Sequence, residues 1–148
     1  MNDINIRPME ERDLSIVKDI ENLSFSAPWS EELFIKELTE NEHAHYFVLL
    51  YDEKIVGYAG LWIVMNDAQV THIAIHPDYR RRQLGEKLFK YLLNFAIAKQ
   101  VERFSLEVRV SNIAAQKLYR KYGLVPGGIR KQYYTDNQED AIVMWVNL

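Results

Sequence analysis

Three consecutive cations, Arg80-Arg81-Arg82, precede Gln83-Leu84-Gly85-Glu86, where an apolar run closed by His76-Pro77 gives way to an amphipathic helix. Cations at a helix start oppose the macrodipole, whose positive end lies there. A charge run is ordinarily a solvated face. This one, however, adjoins backbone N–H groups that have no acceptor inside the helix. Such an end binds phosphate, and arginines add charge-assisted hydrogen bonds to its oxygens. The pattern therefore points to a phosphorylated ligand at the carboxyl end of a strand, where open α/β sheets bind. Neither a Walker loop nor a glycine-rich dinucleotide fingerprint is present.

Glu107 is the second residue of interest. Phe104, Leu106, Val108 and Val110 share one face of an alternating run, and Ser105, Glu107 and Arg109 share the other. A carboxylate on the polar face of an otherwise apolar strand looks into a groove, or else it pairs with Arg109 at the surface. The four histidines, His43, His45, His72 and His76, have no metal-binding spacing, and there is no cysteine to assist them. No metal is expected. The G-x-S-x-G elbow of serine hydrolases is missing as well.

The bulk composition narrows the partners. A length of 148 residues suits one domain, 1–148, with a real core. Hydrophobic residues at 48% and charged ones at 26% indicate a globular chain. A net charge of −3 argues against broad nucleic-acid binding, which needs many phosphate contacts. The arginine run is thus a local exception that asks for a local anion. No apolar run is long enough for a membrane span, and the acidic start MNDINIRPMEERD does not read as a secretory signal. The absence of cysteine permits a cytoplasmic location.

The elements that must position these residues follow from periodicity. Leu14, Val17, Ile20 and Leu23 predict a first amphipathic helix over 13–23, and Ser30 with Glu31 and Glu32 caps a second to about Glu40. Strands are predicted over 46–51, 55–64 and 69–75. A helix from Leu84 places Leu88, Tyr91, Leu92 and Phe95 on one face. After the strand 104–110, Ser111 is expected to cap a helix bearing Ala114, Ala115, Leu118, Tyr119 and Tyr122, ended by Gly123. Strands over 128–134 and 140–146, turning at Asp136-Asn137, close the chain. The expected fold is α/β with a mixed, mostly antiparallel sheet and helices on both faces.

Tyr79-Arg80-Arg81-Arg82-Gln83-Leu84-Gly85 resembles the acetyl-CoA signature of the GNAT N-acetyltransferases. Further along, Ala27-Pro28-Trp29-Ser30, Leu106-Glu107-Val108-Arg109, Ser111-Asn112, Leu118-Tyr119, Ile129-Arg130, Tyr133-Tyr134 and Glu139-Asp140-Ala141 are similar to the RimI-type, ribosomal-protein-alanine branch of that family. The resemblance implies that Ile73, Ala74 and Ile75 hold the pantetheine arm of acetyl-CoA and polarise its carbonyl. Arg80, and the run Arg81, Arg82, Gln83, Leu84, Gly85 and Glu86, would cradle the pyrophosphate, with Asn112 further along the arm. It also implies Glu107 as general base and Tyr119 as general acid. By spacing alone, Tyr119 lies on the apolar side of its helix, where a tyrosine is more often a core residue with a satisfied hydroxyl. Trp29, Tyr133 and Tyr134 are either walls of the acceptor pocket or simple hairpin packing. Gln83 departs from the signature, since the family usually has glycine there. If the loop needs φ > 0 at that position, Gln83 costs roughly 1–2 kcal/mol.

The implied acceptor is the N-terminal alanine of a small-subunit ribosomal protein. An α-amine, with a pKa of about 7.7–8.0, is easier for one modest base than lysine at about 10.4. A flexible basic acceptor segment would suit an acidic chain. The implied enzyme is cytoplasmic, a monomer or weak dimer, without direct nucleic-acid or membrane contact. Two other readings stay open: a GNAT enzyme acting on a small amine such as a polyamine or amino sugar, and a non-catalytic CoA-binding sensor module.

Overall fold

A computed structural model describes residues 3–148. Its frame is a seven-stranded sheet of order β1-β2-β3-β4-β5-β7-β6. The strands are β1 (Ile4–Pro8), β2 (Ala44–Tyr51), β3 (Lys54–Val64), β4 (Asp67–Ile75), β5 (Arg103–Arg109), β6 (Val125–Arg130) and β7 (Ala141–Asn147). Neighbours pair antiparallel except β4 with β5, which are parallel. Four α-helices, α1 (Leu14–Ser24), α2 (Glu31–Thr39), α3 (Leu84–Ala98) and α4 (Ile113–Lys121), cover both faces. The expected mixed sheet is therefore the one that forms.

Each face has its own core. Leu84, Leu88, Phe89, Leu92, Leu93 and Ala96 of α3 pack on Phe104, Leu106, Val108 and Met144. On the opposite face, Leu14, Val17 and Ile20 of α1 and Phe34 of α2 pack on Tyr46, Val48, Tyr58 and Ala74. Ser30 caps α2 as expected, its hydroxyl accepting from the Leu33 N–H.

Several boundaries differ from the sequence expectation, each for a physical reason. β1 was not foreseen, because its five residues alternate weakly and gain their partner only by pairing with β2. Leu23 is exposed, and Glu21 takes the buried position on α1. The cap of α4 is Asn112 rather than Ser111: the Asn112 side chain accepts from the Ala115 N–H, while the Ser111 N–H donates to Glu139. β6 is displaced toward the N-terminus of the expected strand, running Val125–Arg130 rather than 128–134, whereas β7 falls within one residue of the expected 140–146. Tyr133 and Tyr134 lie in the loop between β6 and β7, outside any strand. Gly123, with φ +93, closes α4 as foreseen. The N–H groups of Gly123 and Leu124 donate to the carbonyls of Arg120 and Tyr119, a Schellman ending.

Two local features hold the ends of the site-bearing helices. Arg7 of β1 grips Asp13 with both terminal nitrogens, at 2.7 and 2.9 Å, and the Glu10 N–H donates to the same carboxylate at 2.8 Å. This ties β1 to the start of α1. The Arg7 hydrogen bonds hold the Asp13 carboxyl below its usual range, against the opposing effect of burial. At the start of α3, Arg81 (φ 64) and Gln83 (φ 62) both adopt the left-handed conformation. Gln83 makes no side-chain cap to the helix, so the chain bears this strain for the shape of the backbone alone.

Asp13→Asn should cost about 1–3 kcal/mol in urea unfolding at neutral pH, because it leaves Arg7 without its buried partner. A folded-state pKa below the unfolded one gives stability above the unfolded value that is lost as pH falls through the folded one. The difference between wild type and variant should therefore shrink toward acid pH. Gln83→Gly should raise stability by roughly 0.5–1 kcal/mol, because relief of the left-handed strain exceeds the added unfolded-state entropy. A lower urea midpoint would mean instead that the Gln83 side chain contributes to the fold.

Candidate active site

The site originates where the parallel pair comes apart. β4 and β5 pair only through Asp67–Gln69 against Arg103–Ser105. Beyond that point β4 stays with β3 as far as Gly57↔Ile75, and β5 stays with β7 as far as Arg109↔Ala141. The strands diverge, and a cleft of about 1300 Å³ opens between them. Ile73, Ala74 and Ile75 line one wall and Leu106 to Arg109 the other. Arg80 braces the rim: its Nε donates to the Ile75 carbonyl at 3.0 Å.

The start of α3 forms one end of the cleft. Arg80, Arg81, Gln83, Leu84, Gly85 and Glu86 line it. The Arg82 side chain turns elsewhere, with its guanidinium over the rings of Tyr51 and Tyr79 and a hydrogen bond to the Tyr51 hydroxyl. Only its backbone can serve an anion in the loop. The N–H groups of Leu84, Gly85 and Glu86 are the unpaired donors of the first helical turn. A Cβ added at Gly85 would meet nothing within 4 Å, and its φ is not left-handed. The protein's own packing therefore does not explain glycine here, whereas a ligand lying against the helix start would. Glu86 accepts from Lys121 Nζ at 2.8 Å and from the Tyr122 hydroxyl, so it clamps the start of α3 to the end of α4. These donors hold its carboxyl below the usual range, Lys121 most strongly.

Glu107, Tyr119 and Asn112 all line this cleft. Glu107 does not pair with its neighbour Arg109. Its Oε1 meets Arg130 Nε at 3.0 Å. Arg109 instead reaches Asp136 and Glu139 in the β6–β7 loop, at 2.9 and 3.3 Å, and stacks 4.0 Å over the Tyr134 ring. The Tyr119 ring packs 5.0 Å from Phe89, and burial pushes its hydroxyl up to about 12. That hydroxyl stays protonated at neutral pH and can give a proton. The Glu107 carboxylate beside the Tyr133 hydroxyl is the main cause that raises it to about 12. Asn112 spends its side-chain oxygen on the α4 cap, which leaves its amide nitrogen for the cleft.

The far end is aromatic and includes residues that the sequence did not flag. Trp29 lines the same cleft as Tyr133 and Tyr134, although more than a hundred residues separate it from that pair in the chain. Beneath Trp29, whose ring lies 4.4 Å from that of His72, sits the buried carboxylate of Glu21. Glu21 accepts from the Trp29 N–H at 2.9 Å and from the Tyr58 hydroxyl, and lies 3.6 Å from His72 Nε2. Burial pushes the Glu21 carboxyl up, but the His72 contact and the two hydrogen bonds outweigh it and hold it below its usual range. Glu21 thus ties the loop carrying Trp29 to the sheet. Its signal in the sequence was faint, a lone acid on the apolar face of a helix. Ser24, whose buried Oγ has no hydrogen-bond partner among the described residues, lines the same end.

Comparison with known proteins identifies the family. The sequence model of the acetyltransferase (GNAT) family matches residues 14–124. A Bacillus subtilis (strain 168) protein bearing the name "Putative ribosomal protein bS18-alanine N-acetyltransferase" is 52% identical over 143 residues, spanning 97% of this chain and 95% of the relative. The Escherichia coli (strain K12) ribosomal protein bS18-alanine N-acetyltransferase is 36% identical over 141 residues, 94% of each chain. The crystal structure of the Escherichia coli ribosomal-protein-S18-alanine N-acetyltransferase superposes with a TM-score of 0.89 at 36% identity, covering 99% of this chain and 94% of that one. The chain, with its splayed parallel pair and its open helix start, belongs to the GNAT acetyltransferase family.

Proposed function

We propose that this acetyltransferase moves the acetyl group of acetyl-CoA to the α-amine of an N-terminal alanine, with ribosomal protein bS18 as the acceptor. The observation that carries the reading is the meeting of Glu107, Tyr119 and the α3 start in one cleft whose other end is aromatic. The relatives named for that acceptor support it over nearly the full length of the chain.

Acetyl-CoA, when bound, supplies a thioester already activated for attack by an amine, so no covalent enzyme intermediate is required. The N–H groups of Leu84, Gly85 and Glu86 and the side chain of Arg81 bind its pyrophosphate at the helix start. The main chain of Ile73, Ala74 and Ile75 orients the pantetheine arm, and a backbone N–H there stabilises the developing oxyanion. Glu107 takes the proton of the acceptor amine, directly or through one water, and Tyr119 gives its proton to the departing sulfur. Trp29, Tyr133 and Tyr134 wall the acceptor end. The enzyme works in the bacterial cytoplasm as a monomer or weak dimer, with a protein substrate and no nucleic acid of its own.

Intact-mass spectrometry after incubation with acetyl-CoA tests the acceptor. A basic peptide with a free N-terminal alanine should gain one acetyl group. The same peptide with a blocked α-amine and a free lysine, and a polyamine, should not. Acetylation of either control overturns the N-terminal reading. No turnover of any acceptor, with CoA bound tightly, would favour the sensor module.

Two variants test the roles. Glu107→Gln should lower kcat by about a hundredfold or more while leaving CoA affinity within twofold. Tyr119→Phe should lower kcat by roughly ten- to a hundredfold, since the sulfur then departs without a proton. Full activity in the second variant would return Tyr119 to a packing role.

A further inference from the structure

Arg130 is the last residue of β6, an edge strand all of whose residues are exposed. It lies two strands away from Glu107, because β7 runs between β6 and β5. Its side chain nevertheless crosses β7 and sets Nε 3.0 Å from Glu107 Oε1. The two ends differ in environment: the Glu107 side chain is 11% exposed and that of Arg130 56%. The guanidinium also stands 5.6 Å over the Tyr133 ring. Among the described residues, Arg130 is the one cation in ion-pair contact with Glu107. A pair so largely solvated on one side adds little stability, so the fold gives no strong reason for it.

We propose that Arg130 is a built-in cation that holds the acceptor-side charge of Glu107 neutral, so that ammonium groups are not drawn to the base and the acceptor amine enters uncharged. This inference rests on the reading of Glu107 as the general base. A bare carboxylate in the cleft would gather the abundant cations of the cell, lysine side chains and polyamines among them, as unreactive ligands. With Arg130 in place, an amine gains less from being protonated. At neutral pH, about a tenth of an α-amine is neutral, against less than about a thousandth of a lysine amine. Disfavouring the charged form therefore penalises lysine more than an N-terminus. Arg130 thereby contributes to selectivity without touching the reacting atoms.

The test measures binding and needs no turnover. A fluorescent peptide with a blocked α-amine and a single lysine is titrated into CoA-loaded enzyme at low salt, and anisotropy gives Kd. Arg130→Met should tighten binding roughly two- to fivefold, as expected for gaining one partly solvated ion pair. The gain should vanish at high salt. Arg130→Lys should bind as wild type does, and the double variant Arg130→Met with Glu107→Gln should return to the wild-type value. Equal Kd in wild type and Arg130→Met, or a gain that persists in the double variant, overturns the inference. CoA affinity confirms that each variant is folded, and Arg130→Gln carries the same test if Arg130→Met is not. Failure of the wild type to acetylate the alanine peptide would instead overturn the functional reading, through a separate measurement.

Discussion

Everything at this site depends on one interrupted ladder. Parallel strands in a sheet normally stay paired along their length, yet β4 and β5 share only the register Asp67–Gln69 against Arg103–Ser105. Each strand then follows its other neighbour, so the break leaves both fully supported on one side. The gap exposes main-chain groups in the middle of a sheet, where a ligand can pair with them as a strand would. It also leaves α3 and α4 to frame the opening, because each is the next α-helix in the chain after one of the parted strands.

The charge at the mouth of the cleft follows from the same break. A helix that begins at the end of a parted strand points its unpaired N–H groups into the gap. The left-handed residues Arg81 and Gln83 turn the chain so that this end is open, and Gly85 leaves the space above it clear. Three arginines at a helix start are unfavourable in isolation, but an anion at the same helix start would offset that cost. Their side chains are not equivalent: Arg80 braces the strand end, Arg81 lines the cleft, and Arg82 stacks on Tyr51 and Tyr79.

The aromatic end of the cleft is built by a different physics. It relies on buried polar groups that hold aromatic side chains in position. Glu21 fastens the loop of Trp29 to β3 and β4, and Arg109 fastens the loop of Tyr133 and Tyr134 through Asp136 and Glu139. Both anchors are charged residues in contact with aromatic rings or hydroxyls. Wall position is therefore set by electrostatics in a partly dry environment, where such contacts are stronger than in water.

The sequence by itself determined the elements whose signals are local. Periodicity fixed the four helices to within a residue or two, Ser30 and Gly123 announced their ends, and alternation assigned Glu107 to the face opposite Phe104 and Leu106. The order of elements already implied a mixed sheet, and the arginine run already asked for an anion. Only the tertiary structure decided what was non-local. β1 exists because β2 offers it an edge, and β6 stops at Arg130 because the Arg109 cluster holds residues 131–140 as a loop. The length of the β4–β5 ladder, the choice of Arg130 over Arg109 as the partner of Glu107, and the burial of Glu21 in place of Leu23 depend on which strands lie side by side. Periodicity records which face a side chain takes, but not which neighbour waits there.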